Sequence, residues 1–248
     1  MTARNVVITG ASGGIGAAVA ELLASRGMSV VIVARRKEAL DAVAARCNSR
    51  AFPIVADAAD RDEVRRVVHE SVAHLGHIDV WINNVGRGIT RQPSELTDLD
   101  IDEMMAINVK PALYGMQEVL PHFKERGAGH IINVSSMLGR IPVAPFRSAY
   151  SAAKHYLNSL TANFRAEVQQ THPNIQFSLV SPGVVRTEFG ANAIHGGPDS
   201  HSLPYSQGAE EVAEVIAGVI KSRAPDVYTR AGASAQIAAH YAAIGADP

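Results

Sequence analysis

The sequence is poor in cysteine, in aromatic residues and in net charge. Its 248 residues include one cysteine, Cys47, and aromatic side chains make up 5% of the chain. A single thiol excludes an internal disulfide and is typical of a reducing compartment, so we predict a cytoplasmic protein. The formal net charge of −1 gives no electrostatic case for binding nucleic acid or an acidic membrane surface.

Long apolar runs and metal-ligand spacings are missing as well. No apolar run approaches the roughly 18 residues that cross a bilayer, and the first residues lack the apolar centre of a signal peptide. The ten histidines are scattered rather than paired at ligand spacing, so no metal site is predicted. The remaining composition, with 47% hydrophobic and 19% charged residues, is typical of a globular protein.

Short β-branched runs alternate with longer segments of helical period. The predicted strands are 5–9, 29–34, 51–56, 79–83, 130–135, 175–181 and 226–229. Their apolar residues lie on both faces, which indicates a parallel sheet covered by helices on both sides. The alternation predicts an α/β fold with a doubly wound sheet, and the lack of a linker makes residues 1–248 a single domain. Ligands bind such folds where the strands end.

Helices are predicted over 15–26, 38–46, 60–76, 100–126 and 146–171. Pro111 predicts a break near Val109 in the fourth of these, and Asp60-x-x-Glu63 has the spacing of a capping box. Residues 188–207 contain three glycines and two prolines. This segment is too long for a simple connection, so we predict a substrate loop or lid.

Tyr150 and Lys154 are four residues apart in the last of these helices, which places them on one face. An ammonium beside a phenol favours the phenolate, and a tyrosine that exchanges a proton near neutral pH needs such help because its ordinary pKa is about 10. The pair alone is a weak signal. With six tyrosines and five lysines, chance would supply it in about one chain of eight.

A glycine-rich turn, Thr9-Gly10-Ala11-Ser12-Gly13-Gly14-Ile15-Gly16, joins the first strand to the first helix. Glycines let the backbone approach a pyrophosphate, whose charge a helix N-terminus favours. The spacing differs from Gly-x-Gly-x-x-Gly, and the absence of Gly-Lys-Ser/Thr excludes a P-loop. We predict nucleotide binding here; the alternative is a plain tight connection.

The second strand ends at Ala34, where NAD-binding folds carry an acid for the ribose 2′-hydroxyl. Arg35 and Arg36 follow it, and arginine binds a phosphate bidentately. The missing acid and the two arginines together predict NADP(H); the alternative is a solvated basic loop. Asp57 follows the third strand and Asn84 and Gly86 follow the fourth, so all three lie at the predicted ligand edge.

These motifs together make the chain resemble the short-chain dehydrogenase/reductase family over residues 5 to about 230. The shared features, in family order, are Thr9-Gly10-x3-Gly14-Ile15-Gly16, Asn83-Asn84-x-Gly86, Asn108, a serine shortly before Tyr150-x3-Lys154, and Ser181-Pro182-Gly183. The resemblance implies a Rossmann-like sheet of seven parallel strands and hydride transfer between a nicotinamide and an alcohol or carbonyl. It also implies a homo-oligomer, either a tetramer or a dimer.

The same resemblance assigns residue roles. Tyr150 would be the general acid/base, and Lys154 would lower its pKa and hold the nicotinamide ribose. Ser136 would bind the substrate oxygen, and Asn108 would support a water that links Lys154 to solvent. The residues implied in cofactor binding are Gly10, Ser12, Gly14, Ile15, Gly16, Arg35, Arg36, Asp57, Asn84, Gly86, Tyr150, Lys154, Pro182, Gly183, Val185 and Thr187.

The chain departs from the family pattern in three places. Val85 stands where alanine is typical. Ser135 and Ser136 are adjacent, and alignment on the strand favours Ser136. Ser136 precedes Tyr150 by 14 residues where 13 is usual. Met137 lies 13 residues before Tyr150, where the family usually has its serine, but a methionine cannot polarise a carbonyl. We therefore place an extra residue in the loop 139–147 and assign the binding of the substrate oxygen to Ser136.

The substrate is predicted only by class. Leu138, Pro142, Val143, Phe146 and the segment 189–205 indicate an apolar pocket for a hydrophobic alcohol or ketone. The alternative function is a catalytically idle NADP(H)-binding sensor or scaffold on the same fold. The complete set of asparagine, serine, tyrosine and lysine argues against that alternative, because a binding protein has no use for a polarised tyrosine.

Overall fold

Seven parallel strands form one sheet in the computed structural model, which describes residues 4–245. The strands are β1 (Asn5–Thr9), β2 (Ser29–Ala34), β3 (Ala51–Val55), β4 (Val80–Asn83), β5 (Gly129–Val134), β6 (Ile175–Ser181) and β7 (Asp226–Tyr228). Their order is β3-β2-β1-β4-β5-β6-β7, so the chain winds outward in both directions from β1 and β4. The predicted doubly wound sheet is confirmed, with each strand end within one residue of its prediction.

Eight helices cover the sheet within the described residues. They are α1 (Gly14–Ser25), α2 (Lys37–Ala45), α3 (Arg61–Leu75), α4 (Asp98–Asn108), α5 (Lys110–Arg126), α6 (Ser148–Gln169), α7 (Ala209–Ser222) and α8 (Ala233–Ile244). The predicted helix 100–126 is two helices that meet at Val109, as Pro111 in the first turn of α5 requires. Helices α7 and α8 were not predicted.

The core has two layers because successive strand residues point to opposite faces of the sheet. On one face, Val6, Ile8 and Ile32 pack with α1 and α7. On the other, Val7, Val31 and Trp81 pack with α3, α5 and α6. The inner strands are therefore buried on both faces, which is why their sequences are apolar without alternation.

The predicted capping box at the start of α3 is half formed. The Asp60 side chain accepts hydrogen bonds from the backbone N–H groups of Asp62 and Glu63. The Glu63 carboxylate accepts from the N–H of Asp57 instead of that of Asp60. The box is incomplete because Glu63 reaches back to the end of β3, where it fixes the backbone of a predicted cofactor residue.

A buried chain of polar side chains joins α6 to the middle of the sheet. Asn83, at the end of β4, donates to the Asn133 side chain at 2.8 Å, and Asn133 donates to Thr161 Oγ1 at 2.8 Å. Trp81 Nε1 donates to Asn83 Oδ1 at 2.7 Å. Buried amides that have hydrogen-bond partners specify one arrangement of the elements that carry them. This network of side chains therefore fixes α6, the helix that carries Tyr150, against the strand ends.

Within residues 4–245, no helix is both long and apolar enough to cross a membrane. The same part of the chain has no group of three His, Cys, Asp or Glu side chains arranged to hold a metal ion. Cys47 is fully buried, and burial raises the pKa of its thiol.

Candidate active site

The glycine turn has the shape of a phosphate cradle. Gly10 and Gly14 have φ angles of +69° and +54°, which favour glycine. A Cβ on Gly16 would collide with the carbonyl oxygen of Gly10. Helix α1 begins at Gly14, and its N-cap residue Gly13 supplies no side-chain cap; the first turn contains no acidic residue. Its first N–H groups are therefore free of side-chain partners and fit the pyrophosphate of a dinucleotide.

The two predicted phosphate-binding arginines lie beside this turn. Arg36 Nη2 donates to Ser12 Oγ at 3.2 Å. Arg35 Nη1 lies 3.6 Å from Asp57 Oδ2, and both of these side chains are largely exposed. The ends of β2 and β3 and the glycine turn thus bring Ser12, Arg35, Arg36 and Asp57 to one corner of the sheet.

Asn84 joins β1 to β4 at the predicted ligand edge. Its side-chain Nδ2 donates to the carbonyl of Gly10 at 3.0 Å, and its backbone N–H donates to Thr9 Oγ1 at 3.2 Å. Gly86 follows in a narrow gap, because a Cβ there would lie 3.0 Å from Asn108 Oδ1 and 3.4 Å from Lys154 Nζ. Asn108 and Lys154 therefore approach each other across Gly86.

Asn108 is the last residue of α4, directly before the break at Val109. Its Oδ1 accepts from the N–H of Arg87 at 3.0 Å, and its Nδ2 donates to the carbonyls of Arg87 and Met104 at 3.0 and 3.2 Å. The amide therefore holds the segment after β4 in place next to Lys154. The break in the helix is what turns Asn108 toward the site.

Tyr150 and Lys154 lie on one buried face of α6, as their spacing predicts. Lys154 Nζ is 5.7 Å from the centroid of the Tyr150 ring and donates to the carbonyl of Val134 at 3.0 Å. The Ser136 hydroxyl accepts from the N–H of Leu138 at 3.1 Å and lies near enough to Tyr150 to lower the pKa of its phenol. Despite the longer spacing in sequence, Ser136 is the hydroxyl that meets Tyr150.

Burial dominates the proton affinities of this pair. It raises the pKa of Tyr150 to about 12, although the hydrogen bond with Ser136 and the charge of Arg147 act to lower that pKa. Burial also lowers the pKa of Lys154 to about 8. Lys154 is not among the groups that act on the pKa of Tyr150 here, so its expected effect on the phenol stays a prediction. Desolvation of the phenolate outweighs the charges around it.

The segment after β6 reaches the same edge of the sheet. The Pro182 carbonyl accepts from the N–H of Met137 at 2.8 Å, and Gly183 lies against Arg230. Val185 pairs with Gln207, which brings the two ends of the predicted lid together. Thr187 lies over the glycine turn, since a Cβ on Gly14 would be 3.2 Å from Thr187 Cγ2.

The predicted lid, residues 188–207, lies directly on the site. The Phe189 ring meets the Tyr150 ring edge to face, with 5.4 Å between centroids. Ile194 pairs with Ile89, and His195 Nε2 lies 2.9 Å from Asp100 Oδ1 on α4. The loop histidine thus holds the lid to a helix; the structure does not show it facing a substrate.

Sequence reasoning missed one charged residue of the site. Arg147 is 7% exposed and directly precedes α6. Its Nη1 donates to the carbonyl of Ile89 at 3.0 Å, and its Cζ lies 5.6 Å from the centroid of the Phe146 ring. The available signal was a cation three residues before Tyr150, in a segment otherwise predicted to form an apolar pocket wall.

Comparison with known proteins gives the family. Residues 4–196 match the family model described as short chain dehydrogenase. A Drosophila melanogaster protein described as a dehydrogenase/reductase SDR family protein 7-like is 32% identical over 235 residues, which cover 90% of this chain and 71% of that protein. A short-chain dehydrogenase from Streptomyces avermitilis superposes with a TM-score of 0.86 at 28% identity, covering 98% of this chain and 94% of that one.

Two further solved structures differ in the cofactor that they hold. An alcohol dehydrogenase from Thermococcus sibiricus complexed with 5-hydroxy-NADP has a TM-score of 0.79 at 25% identity, covering 91% of this chain and 95% of that one. A 3-ketoacyl-(acyl-carrier-protein) reductase from Brucella melitensis complexed with NADH has a TM-score of 0.81, the same identity and the same coverage. The fold, the family model and the Drosophila relative agree: this chain is an oxidoreductase of the short-chain dehydrogenase/reductase family.

Proposed function

We propose that the protein transfers a hydride between NADP(H) and a small, hydrophobic alcohol or ketone, with Tyr150 as general acid/base. One observation carries this proposal: a buried Tyr150, beside Ser136 and four residues from Lys154, shares a sheet edge with an uncapped glycine turn. A pure dinucleotide-binding protein would need the turn without the buried phenol.

In the direction of reduction, Tyr150 acts as the acid. Its phenol is protonated at neutral pH even at the ordinary tyrosine pKa of about 10, and burial, which raises the pKa to about 12, holds the proton more firmly. It would donate that proton to the substrate oxygen as negative charge develops there, while the Ser136 hydroxyl adds a hydrogen bond that strengthens with the charge. Bound NADPH supplies the hydride. Lys154 would bind the ribose hydroxyls and stabilise the phenolate that remains.

In the direction of oxidation, the same groups work in reverse. Tyr150 must first lose its proton before it can accept one from the alcohol, and its raised pKa makes that step costly at neutral pH. The site thus holds the proton that carbonyl reduction consumes, and oxidation has to begin with its removal.

The substrate class follows from the walls of the site. Phe189 lies on the Tyr150 ring, and Leu138, Phe189 and Ile194 pack against the cluster that contains Tyr150. An apolar wall around one proton donor suits a hydrophobic carbonyl compound.

The preference for NADP(H) rests on Arg35 and Arg36. Both are exposed at the corner that a cofactor ribose would reach, and Arg36 already contacts the glycine turn through Ser12. Two guanidinium groups there would bind a 2′-phosphate.

The proposal is tested by a screen of carbonyl compounds with NADPH, followed at the cofactor absorbance. Tyr150→Phe should lower turnover at least about 10²-fold, because it removes the general acid, and should leave NADPH binding intact. Tyr156→Phe is the matched control, since Tyr156 is an exposed tyrosine on the same helix. Full turnover in Tyr150→Phe would remove the assigned role. NADPH binding without turnover on any compound would favour the sensor or scaffold.

We also propose a homo-oligomer, either a dimer or a tetramer. Tyr156 on α6 and Leu99 and Ile101 on α4 are exposed apolar side chains on two helices that pack together. Sedimentation of the purified protein would measure its state. The cytoplasmic location stays a prediction from the single cysteine.

A further inference from the structure

Arg147 is a buried cation without a matching anion. It is more than nine-tenths buried, and none of the ion pairs formed within residues 4–245 includes it. A guanidinium removed from water is costly unless it is paired. Its only hydrogen bond within the same residues runs from Nη1 to the carbonyl of Ile89. That single neutral acceptor leaves the position of the charge unexplained by local structure.

The guanidinium lies beside an aromatic side chain that packs on Tyr150. Arg147 is the N-cap residue of α6, three residues before Tyr150. A Cβ on Gly88 would be 2.6 Å from Arg147 Nη1 and 3.1 Å from Phe189 Cε1, so these two side chains are neighbours. The Phe189 ring in turn packs edge to face on the Tyr150 ring, with 5.4 Å between centroids.

The other charged groups around Tyr150 have partners of their own. Lys154, on the same helix, binds the Val134 carbonyl. Arg87, after β4, donates to the Asn192 carbonyl of the lid. Asp100, on α4, is paired with Arg91 and His195. Arg140, in the loop before α6, is paired with Asp226. The acids in this surrounding are thus paired with other cations, and Arg147 acts on the phenol without a competing carboxylate.

We propose that Arg147 is a positioning residue that stabilises the phenolate of Tyr150 in addition to Lys154. Two cations then stabilise the phenolate of Tyr150: Arg147, three residues before it, and Lys154, four residues after it. The proposal rests on the proposed role of Tyr150 as acid/base. It agrees with the effect of the Arg147 charge, which lowers the pKa of Tyr150 against the burial that raises it.

Stabilisation of the phenolate would matter most at two stages: after Tyr150 has donated its proton in reduction, and before it accepts a proton in oxidation. An opposite charge nearby favours the ionised form by a margin that burial enlarges, since the local dielectric constant is low. Loss of Arg147 would therefore shift the pH dependence of the reaction, whereas loss of a purely structural side chain would lower activity at all pH values alike.

The test titrates the phenol without relying on turnover. A fluorinated tyrosine placed at position 150 has a more acidic phenol, which brings ionisation into a range where the protein stays folded, and ¹⁹F NMR reads it. Arg147→Met should raise the pKa of this phenol by about one unit or more. Arg147→Lys, which keeps the charge, should restore most of the difference. Arg165→Gln is the matched control, because Arg165 is a half-buried arginine of the same helix that binds backbone carbonyls far from Tyr150.

An unchanged phenol pKa in folded Arg147→Met would overturn the proposal. If that variant does not fold, the test uses the protein with Arg147 intact and follows its ¹⁵N-labelled Nε signal during the pH titration. This signal should shift with the same midpoint as the phenol ionises, and a signal that stays constant while the phenol ionises would equally overturn the proposal. A normal titration in a protein that reduces no carbonyl compound would instead contradict the proposed function and leave the link between Arg147 and Tyr150 standing.

Discussion

Single side chains at the end of β2 decide which cofactor the fold accepts. Comparable folds hold either an NADP analogue or NADH, so the sheet itself does not choose. Here Ala34 is buried and leaves no acid for a ribose hydroxyl, while Arg35 and Arg36 are exposed beside Ser12. Under the proposed function, the choice of NADP(H) belongs to these two guanidinium groups.

We predict that Arg35→Ala combined with Arg36→Ala weakens NADPH binding about tenfold or more and leaves NADH binding nearly unchanged. The expected size follows from hydrogen bonds to charged groups, which contribute about 1.5–3 kcal/mol each. Cofactor fluorescence measures both dissociation constants. Lys37→Ala is the control, because Lys37 is exposed next to them and pairs with Asp41. Equal losses for both cofactors would contradict a phosphate contact.

At the scale of elements, the lid is fastened to α4 through one carboxylate. Asp100 accepts from the N–H and hydroxyl of Thr97, from Arg91 Nη1 and from His195. The backbone hydrogen bond from Thr97 is the largest cause that lowers the pKa of Asp100, followed by the bond from His195. The same side chain thus caps a helix and holds a loop.

Removing the lid contact should open the loop without unfolding the protein. We expect His195→Ala to speed limited proteolysis within 188–207 by about fivefold, the effect of losing one hydrogen bond. His201→Ala, in an exposed histidine of the same loop, should change it little. Acid should act in the same direction. Because the folded pKa of Asp100 is depressed, its contribution is present above the unfolded value of about 4 and declines as the pH falls below it. Cleavage of His195→Ala at the unsubstituted rate would show that the contact does not hold the lid.

At the scale of the whole molecule, the site lowers the stability of the fold that carries it. Lys154 is buried with one carbonyl partner, and burial lowers its pKa from 10.5 to about 8. The folded state therefore binds this proton less tightly than the unfolded chain does, which costs free energy at neutral pH. A charge retained at such a cost is typical of a functional site.

We predict that Lys154→Met raises the free energy of unfolding by about 2 kcal/mol at pH 7, because the substitution removes the buried charge at the loss of one hydrogen bond. Urea unfolding measures the difference. The stability of the unsubstituted protein should rise between pH 8 and about 10.5, because the unfolded chain there holds more protons, so the gain from the substitution should shrink. Lys221→Met, at an exposed lysine, is the control. A destabilised Lys154→Met at pH 7 would contradict this.

The order of the elements could be read from the sequence because the signals are local. Apolar β-branched runs gave all seven strands, and Pro111 gave the break at Val109. Helix α7 was missed, although Val212, Ile216 and Ile220 form its buried face. That face is recognised as a core contact only once it packs beside α1 in the same layer. Burial by a distant partner has no local signature.

The sequence by itself determined the fold class, the glycine turn and the shared helix face of Tyr150 and Lys154, because each depends on the spacing of nearby residues. Tertiary structure decided what happens between segments distant along the chain. It brought Ser136 to Tyr150 despite the longer loop, placed Arg147 beside Phe189, which packs on Tyr150, and joined His195 to Asp100. It also buried Tyr150, which raises the pKa of the phenol to about 12. The reason is that desolvation depends on everything packed around a group, whereas helix spacing depends on its neighbours alone.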